Sequence, residues 1–298
     1  AEIRYASHAQ LAGNPLTFGL TLNNNPTMQD VWNSTPAWGY PFAGSEAAPG
    51  PNAAPLISDA LAQQVLGLGA YAYWNNTVYV ELSGYRSAPQ GAPSPADATS
   101  EGTIKGLSPY WRLALTHDAG PQSIEVGTFG LSSRLYPAGI AGPTDQYTDV
   151  GLDAQYQRPV GASAILTARA SWIHEKQTLD ASHLAGDAAN PTNTLNTYNA
   201  NATLLFNQTI GLTGALFANS GTEDTGLYPA DPVEGSVSGS PDSNGFMAQF
   251  DYDPWQNMRL ALQYVLYGKF NGAGSNYDGT GRDAANNNAL FLMAWLAF

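Results

Sequence analysis

The chain has 298 residues, a net charge of −13, no cysteine and only 12% charged residues, which is not the surface of an ordinary soluble enzyme. Its acidity leaves no basic face to neutralise phosphates, so nucleic acid is excluded as a partner. The missing cysteines exclude disulfides, cysteine zinc sites and covalently attached haem within this chain.

In chain order, apolar and polar residues alternate in segments bounded by Gly, Pro, Asn and Asp, and helical periodicity is weak. The pattern predicts about 13 strands, at roughly 1–8, 16–24, 66–75, 77–86, 107–118, 122–133, 146–158, 162–175, 194–208, 210–219, 244–253, 257–269 and 288–298. The clearest is Met258 to Leu266, where Met258, Leu260, Leu262, Tyr264 and Leu266 oppose Arg259, Ala261, Gln263 and Val265. The connections alternate as well. Asn75-Asn76, Asn207-Gln208-Thr209 and Asp253 to Gln256 are short, whereas 25–65, 87–106, 134–145, 176–193, 220–243 and 270–287 are long. Tight turns alternating with long loops predict an all-β, antiparallel up-and-down transmembrane β-barrel of the bacterial outer membrane, in contact with its lipid. A soluble β-sandwich also alternates, but does not account for this rhythm.

The polar face of the predicted strands carries Arg4, Arg112, Glu125, Asp149, Asp153, Gln155, Arg169, Asn199, Asn201, Gln249, Asp251, Arg259 and Gln263. In a barrel these residues line the lumen, either as a pore wall or as ion pairs bracing neighbouring strands. The connection 25–65 is too long for a plain loop. It is expected either to fold inward as a constriction, with Asp30, Trp32 and Trp38 as candidate residues, or to form an ordered outer cap. A short helix is expected over Ile57–Val65. On the last strand, Phe291, Met293 and Trp295 are expected inward, packed against a plug or the inserted loop. Aromatics near strand ends, such as Trp74, Tyr156, Trp172 and Trp255, suit interfacial girdles.

A terminal Phe298 preceded by alternating apolar residues resembles the signal by which the barrel-assembly machinery recognises outer-membrane barrels. With the last strand running toward the periplasm, strand parity places residue 1 on the outer side. An odd number of strands is therefore expected before Ala1, or another segment completes the single-domain wall formed by residues 1–298.

His8, His117, His174 and His183 lack metal-ligand spacing, and no nucleophile elbow or phosphate loop is present. The loop acids Glu223, Asp224, Asp278 and Asp283 are expected to be solvated. No enzyme activity and no metal is expected. The expected function is porin-like passive passage of small solutes or ions.

The stretches Asn23-Asn24-Asn25-Pro26-Thr27, Gln29 to Trp38, Leu61-Ala62-Gln63-Gln64, Leu68 to Tyr71 and Asp278-Gly279 through Arg282 add a resemblance. In them the chain resembles proteobacterial outer-membrane proteins labelled cytochrome c, which are similar to fused cytochrome–porins. The resemblance implies a barrel of about 16 strands, with a haem c site on an upstream CxxCH segment. It also implies an alternative role, that of a sheath around that segment for electron transfer across the outer membrane. No cofactor is implied within this chain itself, because it has no cysteine.

Overall fold

The computed structural model describes residues 2–24, 45, 47–58, 61, 65–87, 103–139 and 141–296. The strands are β1 (Glu2–Leu11), β2 (Asn14–Asn23), β3 (Val65–Trp74), β4 (Val78–Ser87), β5 (Thr103–Ile104), β6 (Ser108–Ala119) and β7 (Gln122–Tyr136). They continue with β8 (Asp145–Val160), β9 (Ala164–Thr178), β10 (Thr192–Phe206), β11 (Ile210–Gly221), β12 (Ser243–Trp255), β13 (Met258–Lys269) and β14 (Ala289–Leu296). All belong to one sheet of 14 strands, and β5, which pairs only with β7, is the one that lies off the path running in chain order from β1 to β14. The remaining long strands match the predicted count. Every pairing is antiparallel, so the fold is an up-and-down barrel wall with β1 and β14 as its edges.

Burial alternates along the strands and identifies two faces. In β6, Ser108, Tyr110, Arg112, Ala114 and Thr116 are buried, while Trp111, Leu113 and Leu115 are exposed. Leu68, Leu82 and Leu292 are 64%, 72% and 76% exposed on the outward face. In water, so much uncovered leucine would be costly, at roughly 25 cal/mol per Å². Facing hydrocarbon, it costs nothing. A sandwich would have buried these side chains against a second sheet, so the soluble alternative fails.

At one rim the strands join through tight turns. Asn75 and Asn76 have φ of 52° and 50°, and Asn207 and Gln208 have 47° and 56°. Both central residues of a type I′ turn need this left-handed backbone, whose twist matches that of the flanking strands. The other rim carries the long connections.

Three elements depart from expectation. The connection after β9 contains a helix, α1 (Asp180–Ala185), and its N-terminal amides are satisfied from outside. The Asp145 carboxylate of β8 accepts the N–H groups of Ala181 (2.8 Å) and Ser182 (3.1 Å) and the Ser182 hydroxyl (2.5 Å). A six-residue helix is marginal by itself, and the partner that caps it is distant in sequence. Over the expected helix Ile57–Val65, the described residues form turns at Leu56–Ser58 and Leu61, and Val65 already opens β3. The pair β5, missed in the sequence, extends the wall beside β7, where Ile104 N–H also donates to the Ser87 hydroxyl (2.8 Å).

Candidate functional site

The inward face holds the charged residues. Arg112, Glu125, Asp149, Asp153, Gln155, Arg169, Asn199, Asn201, Gln249, Asp251, Arg259 and Gln263 all stand at inward register positions. Arg4 pairs with inward Thr21, and its guanidinium lies 5.4 Å from the centre of the Tyr71 ring. The structure brings most of these residues into contact. Arg112 is fully buried and donates to both oxygens of Asp153 (2.6 and 2.8 Å) and to Glu125 (3.2 Å). Glu125 also accepts the Thr116 hydroxyl at 3.3 Å. Arg169 donates to Gln155 (2.5 Å), Gln249 to Asp251 (2.8 Å) and Gln263 to Gln249 (2.9 Å). Arg259 forks onto Asp253 with two contacts of 2.8 Å. Two planar donors on one carboxylate fix both geometry and charge. Among these residues, then, the bracing role is realised. Asn199 is exposed and Asn201 partly so, and no such network holds them.

Toward the loop rim, the inward face turns apolar. Tyr85, Tyr110, Phe129, Leu131, Leu135 and Ile173 form a cluster that has no facing sheet to cover it. Leu56, Ile57 and Leu61 of the long connection cover it instead. This segment is pinned as well as packed. Leu56 N–H donates to Glu175 (2.6 Å) and Ile57 N–H to Asp149 (2.9 Å). These two carboxylates face each other in register on β8 and β9. The Ala53 carbonyl accepts from Asn219 of β11 (2.6 Å), and the Pro49 carbonyl from the Tyr267 hydroxyl of β13 (3.5 Å). Asn52 N–H donates to Asn271 (3.3 Å), and the Asn52 side-chain amide donates to the Glu234 carbonyl. Residues 49–57 therefore lie across the inward face, tied to β8, β9, β11, β13 and the last long loops. Of the two arrangements open for this connection, the described part is the inward one.

The candidate constriction residues Asp30, Trp32 and Trp38 lie outside the described residues, as does Phe298. Of the residues that do the pinning, Asp149 stands among the polar-face candidates read from the sequence, whereas Glu175, Asn219, Tyr267 and Asn271 were missed. Glu175 shares its face with Arg169 by simple parity (169, 171, 173, 175), so the signal was present in the sequence. The contributions of Asn219 and Asn52 come from backbone placement that no local pattern encodes.

Of the four loop acids, Glu223 and Asp283 are exposed as expected, and the other two correct the expectation. Asp224 and Asp278 are buried. Asp224 accepts the N–H groups of Ala189 (2.8 Å), Asn190 (3.0 Å), Gly226 (2.9 Å) and Leu227 (3.0 Å), together with the Asn193 amide (2.9 Å). Burial works to raise its pKa. The Asn193 amide and the N–H groups of Ala189, Leu227 and Asn190 outweigh that and hold it at about 2, against an ordinary 3.8. Asp278 likewise accepts from Thr280 (2.8 and 2.6 Å), Arg282 (3.2 Å) and Val233 (3.2 Å). These carboxylates staple the loops over the rim, because a backbone amide without water needs an acceptor.

Among the described residues nothing forms a site for covalently attached haem. There is no cysteine, and no group of three or more metal-ligating side chains occurs among the described residues. His117 and His174 face outward. His8 bonds Thr17 (3.1 Å), and His183 bonds the Ala188 carbonyl (3.1 Å).

No family model matches the chain, and no curated protein matches it. Among solved structures it is similar to OmpT (in-vitro folded), an outer membrane protein of Vibrio cholerae. The identity is 10%, the match covers 98% of this chain and 79% of that one, and the TM-score is 0.46. So loose a likeness leaves the assignment to the chain's own geometry. That geometry, an all-β wall exposing leucine outward and burying charge inward, is that of an outer-membrane protein.

Proposed function

We propose that the chain is the wall of a porin-like channel through which small solutes or ions pass passively, with no chemistry performed on them. The observation that carries this reading is the strip of residues 49–57 fixed across the inward face by Glu175, Asp149 and Asn219. A strip tied to several strands narrows the passage that the wall encloses. The charged rows beside it set a field across that passage. Asn199 and Asn201 supply the uncharged polar surface that a solute meets. Unpaired strand edges are costly in hydrocarbon, so the edges β1 and β14 must find a partner within the membrane.

Purified protein in planar bilayers tests this. Stepwise ionic current is expected, and the Glu175→Ala/Asp149→Ala double variant, whose strip is untied, is expected to give larger steps. Silent bilayers from folded protein, together with a haem absorption band in the native full-length product, would replace this reading with that of a sheath around an upstream electron carrier.

A further inference from the structure

Charge on the wall is sorted by face. From β4 to β9 every strand acid stands at an inward register position. At the loop rim of the same strands, the charged residues at outward positions are all cations among the described residues. Lys105 follows β5, and Arg86, Arg134 and Lys176 stand near the ends of β4, β7 and β9. They are neighbours. Lys105 N–H donates to the Arg134 carbonyl (2.7 Å), and the Lys105 ammonium lies 5.8 Å from the centre of the Tyr136 ring. Ile104, next to Lys105, donates to Ser87, next to Arg86. Arg134 pairs in register with Gln146, and Lys176 with Thr148, two residues farther along β8. In a chain of net charge −13 with only 11 basic residues, this concentration of one sign is not a mixed, solubilising surface.

Beneath Lys176 the outward face is not smooth. A groove of about 1010 Å³ crosses it, walled by Leu152, Trp172, Tyr198, Leu216, Phe246 and Leu266. Alanines of β8, β9 and β10 floor it. Outward positions 172, 174 and 176 follow one another up β9, so Lys176 sits on the order of 13 Å above Trp172. That is the offset between an acyl chain lying in the groove and a headgroup at the rim.

We propose that the basic rim and the groove form a docking site for a phosphate-bearing, multiply acylated glycolipid of the outer leaflet. Its phosphates would meet Arg86, Lys105, Arg134 and Lys176, and one acyl chain would lie against Trp172 and Tyr198. The phosphate contact is charge-assisted, and at a membrane surface each Lys or Arg adds to the attraction within a Debye length. The proposal rests on the reading of the long-loop rim as the outer one, and it is independent of whether the wall conducts.

The test uses the full chain purified in a neutral detergent, with native mass spectrometry and thermal unfolding as readouts. The probes are bis-phosphorylated lipid A, its dephosphorylated form and phosphatidylglycerol. Lipid A is expected to remain bound and to raise the unfolding midpoint. Removing its phosphates is expected to weaken binding by roughly ten-fold or more. The R86Q/K105Q/R134Q/K176Q variant is expected to lose the lipid to the same extent while giving the single-channel current of the parent, and Lys176→Gln alone is expected to show a partial loss. Equal retention of the dephosphorylated lipid by the unaltered chain overturns the proposal without requiring any variant to fold. Equal retention of phosphatidylglycerol overturns the glycolipid assignment.

Discussion

Arg112 reaches Asp153 by passing over Gly127, which stands opposite Asp153 on the intervening strand β7. A Cβ at Gly127 would lie 2.6 Å from the guanidinium and 2.9 Å from the carboxylate, closer than such atoms approach. The glycine is therefore the gap through which an ion pair bridges two strands that do not touch. Gly127→Val should displace the pair and leave buried charge uncompensated, a loss of about 3–5 kcal/mol. Asp153→Ala should act in the same direction and less strongly, because Glu125 remains beside Arg112. Unfolding in detergent measures both. If Gly127→Val melts with the parent, the guanidinium has another route and the gap is not what holds the pair.

Glu175 and Asp149 hold consecutive amides of the inserted strip. Removing either acceptor leaves a buried N–H unsatisfied, which costs about 1–3 kcal/mol. Glu175→Ala should therefore speed hydrogen exchange at Leu56 by roughly ten-fold or more, and Asp149→Ala should do the same at Ile57, with β12 and β13 unchanged. Exchange followed by mass spectrometry resolves the two regions. Uniform protection across the strip in both variants would mean that apolar packing against Tyr85 and Phe129 alone seats it.

The wall was legible in the sequence because a strand's side-chain period is two, and one residue's face assigns all the others. Met258 to Leu266 showed its sides without any partner, and the residues assigned to the polar face by this rule stand at inward register positions. The rule fails wherever a contact is made between segments rather than along one. The amides held by Asp145 belong to a helix too short to announce itself, and the donors that hold Asp224 come from two connections and from Asn193 of β10. Asp224 and Asp278 read as ordinary loop acids because a loop sequence does not reveal which backbone folds back over it. Length and aromatic content marked the connection 25–65 as more than a plain loop but left an inward fold and an outer cap both open. Its anchoring by Asn219 and Asn52 depends on where the chain lies after β13 and β11 are built.

Asp224 gives the loops an acid limit. Its folded pKa is about 2, below the ordinary 3.8. A depressed carboxylate contributes its stability above its unfolded pKa and loses it as pH falls through the folded one. The stabilisation should therefore be complete at pH 5, decline below about pH 4, and vanish near the folded value of about 2. Asp224→Asn should be less stable than the parent at pH 5, with the two converging as pH approaches that value. Unfolding midpoints measured across this range settle it, and a gap of constant size at all pH values would show that the carboxylate's charge plays no part.

The turn at Asn207-Gln208 is the simplest place to adjust the wall. Both residues have positive φ, 47° and 56°, and a side chain with a Cβ resists that region by roughly 1–2 kcal/mol. Asn at the first position tolerates it by local hydrogen bonding, whereas Gln at the second has no such compensation. Gln208→Gly should stabilise the chain by about 0.5 kcal/mol, because relief of the backbone strain is partly offset by the greater freedom of glycine in the unfolded chain. Gln208→Val should destabilise it by about 1–2 kcal/mol, because branching at Cβ worsens the clash. The hairpin between β10 and β11 closes on this turn, so both effects should also appear in the rate at which protein folds from urea into detergent. If the glycine variant is slower and less stable than the valine variant, the left-handed turn is not the conformation this hairpin adopts.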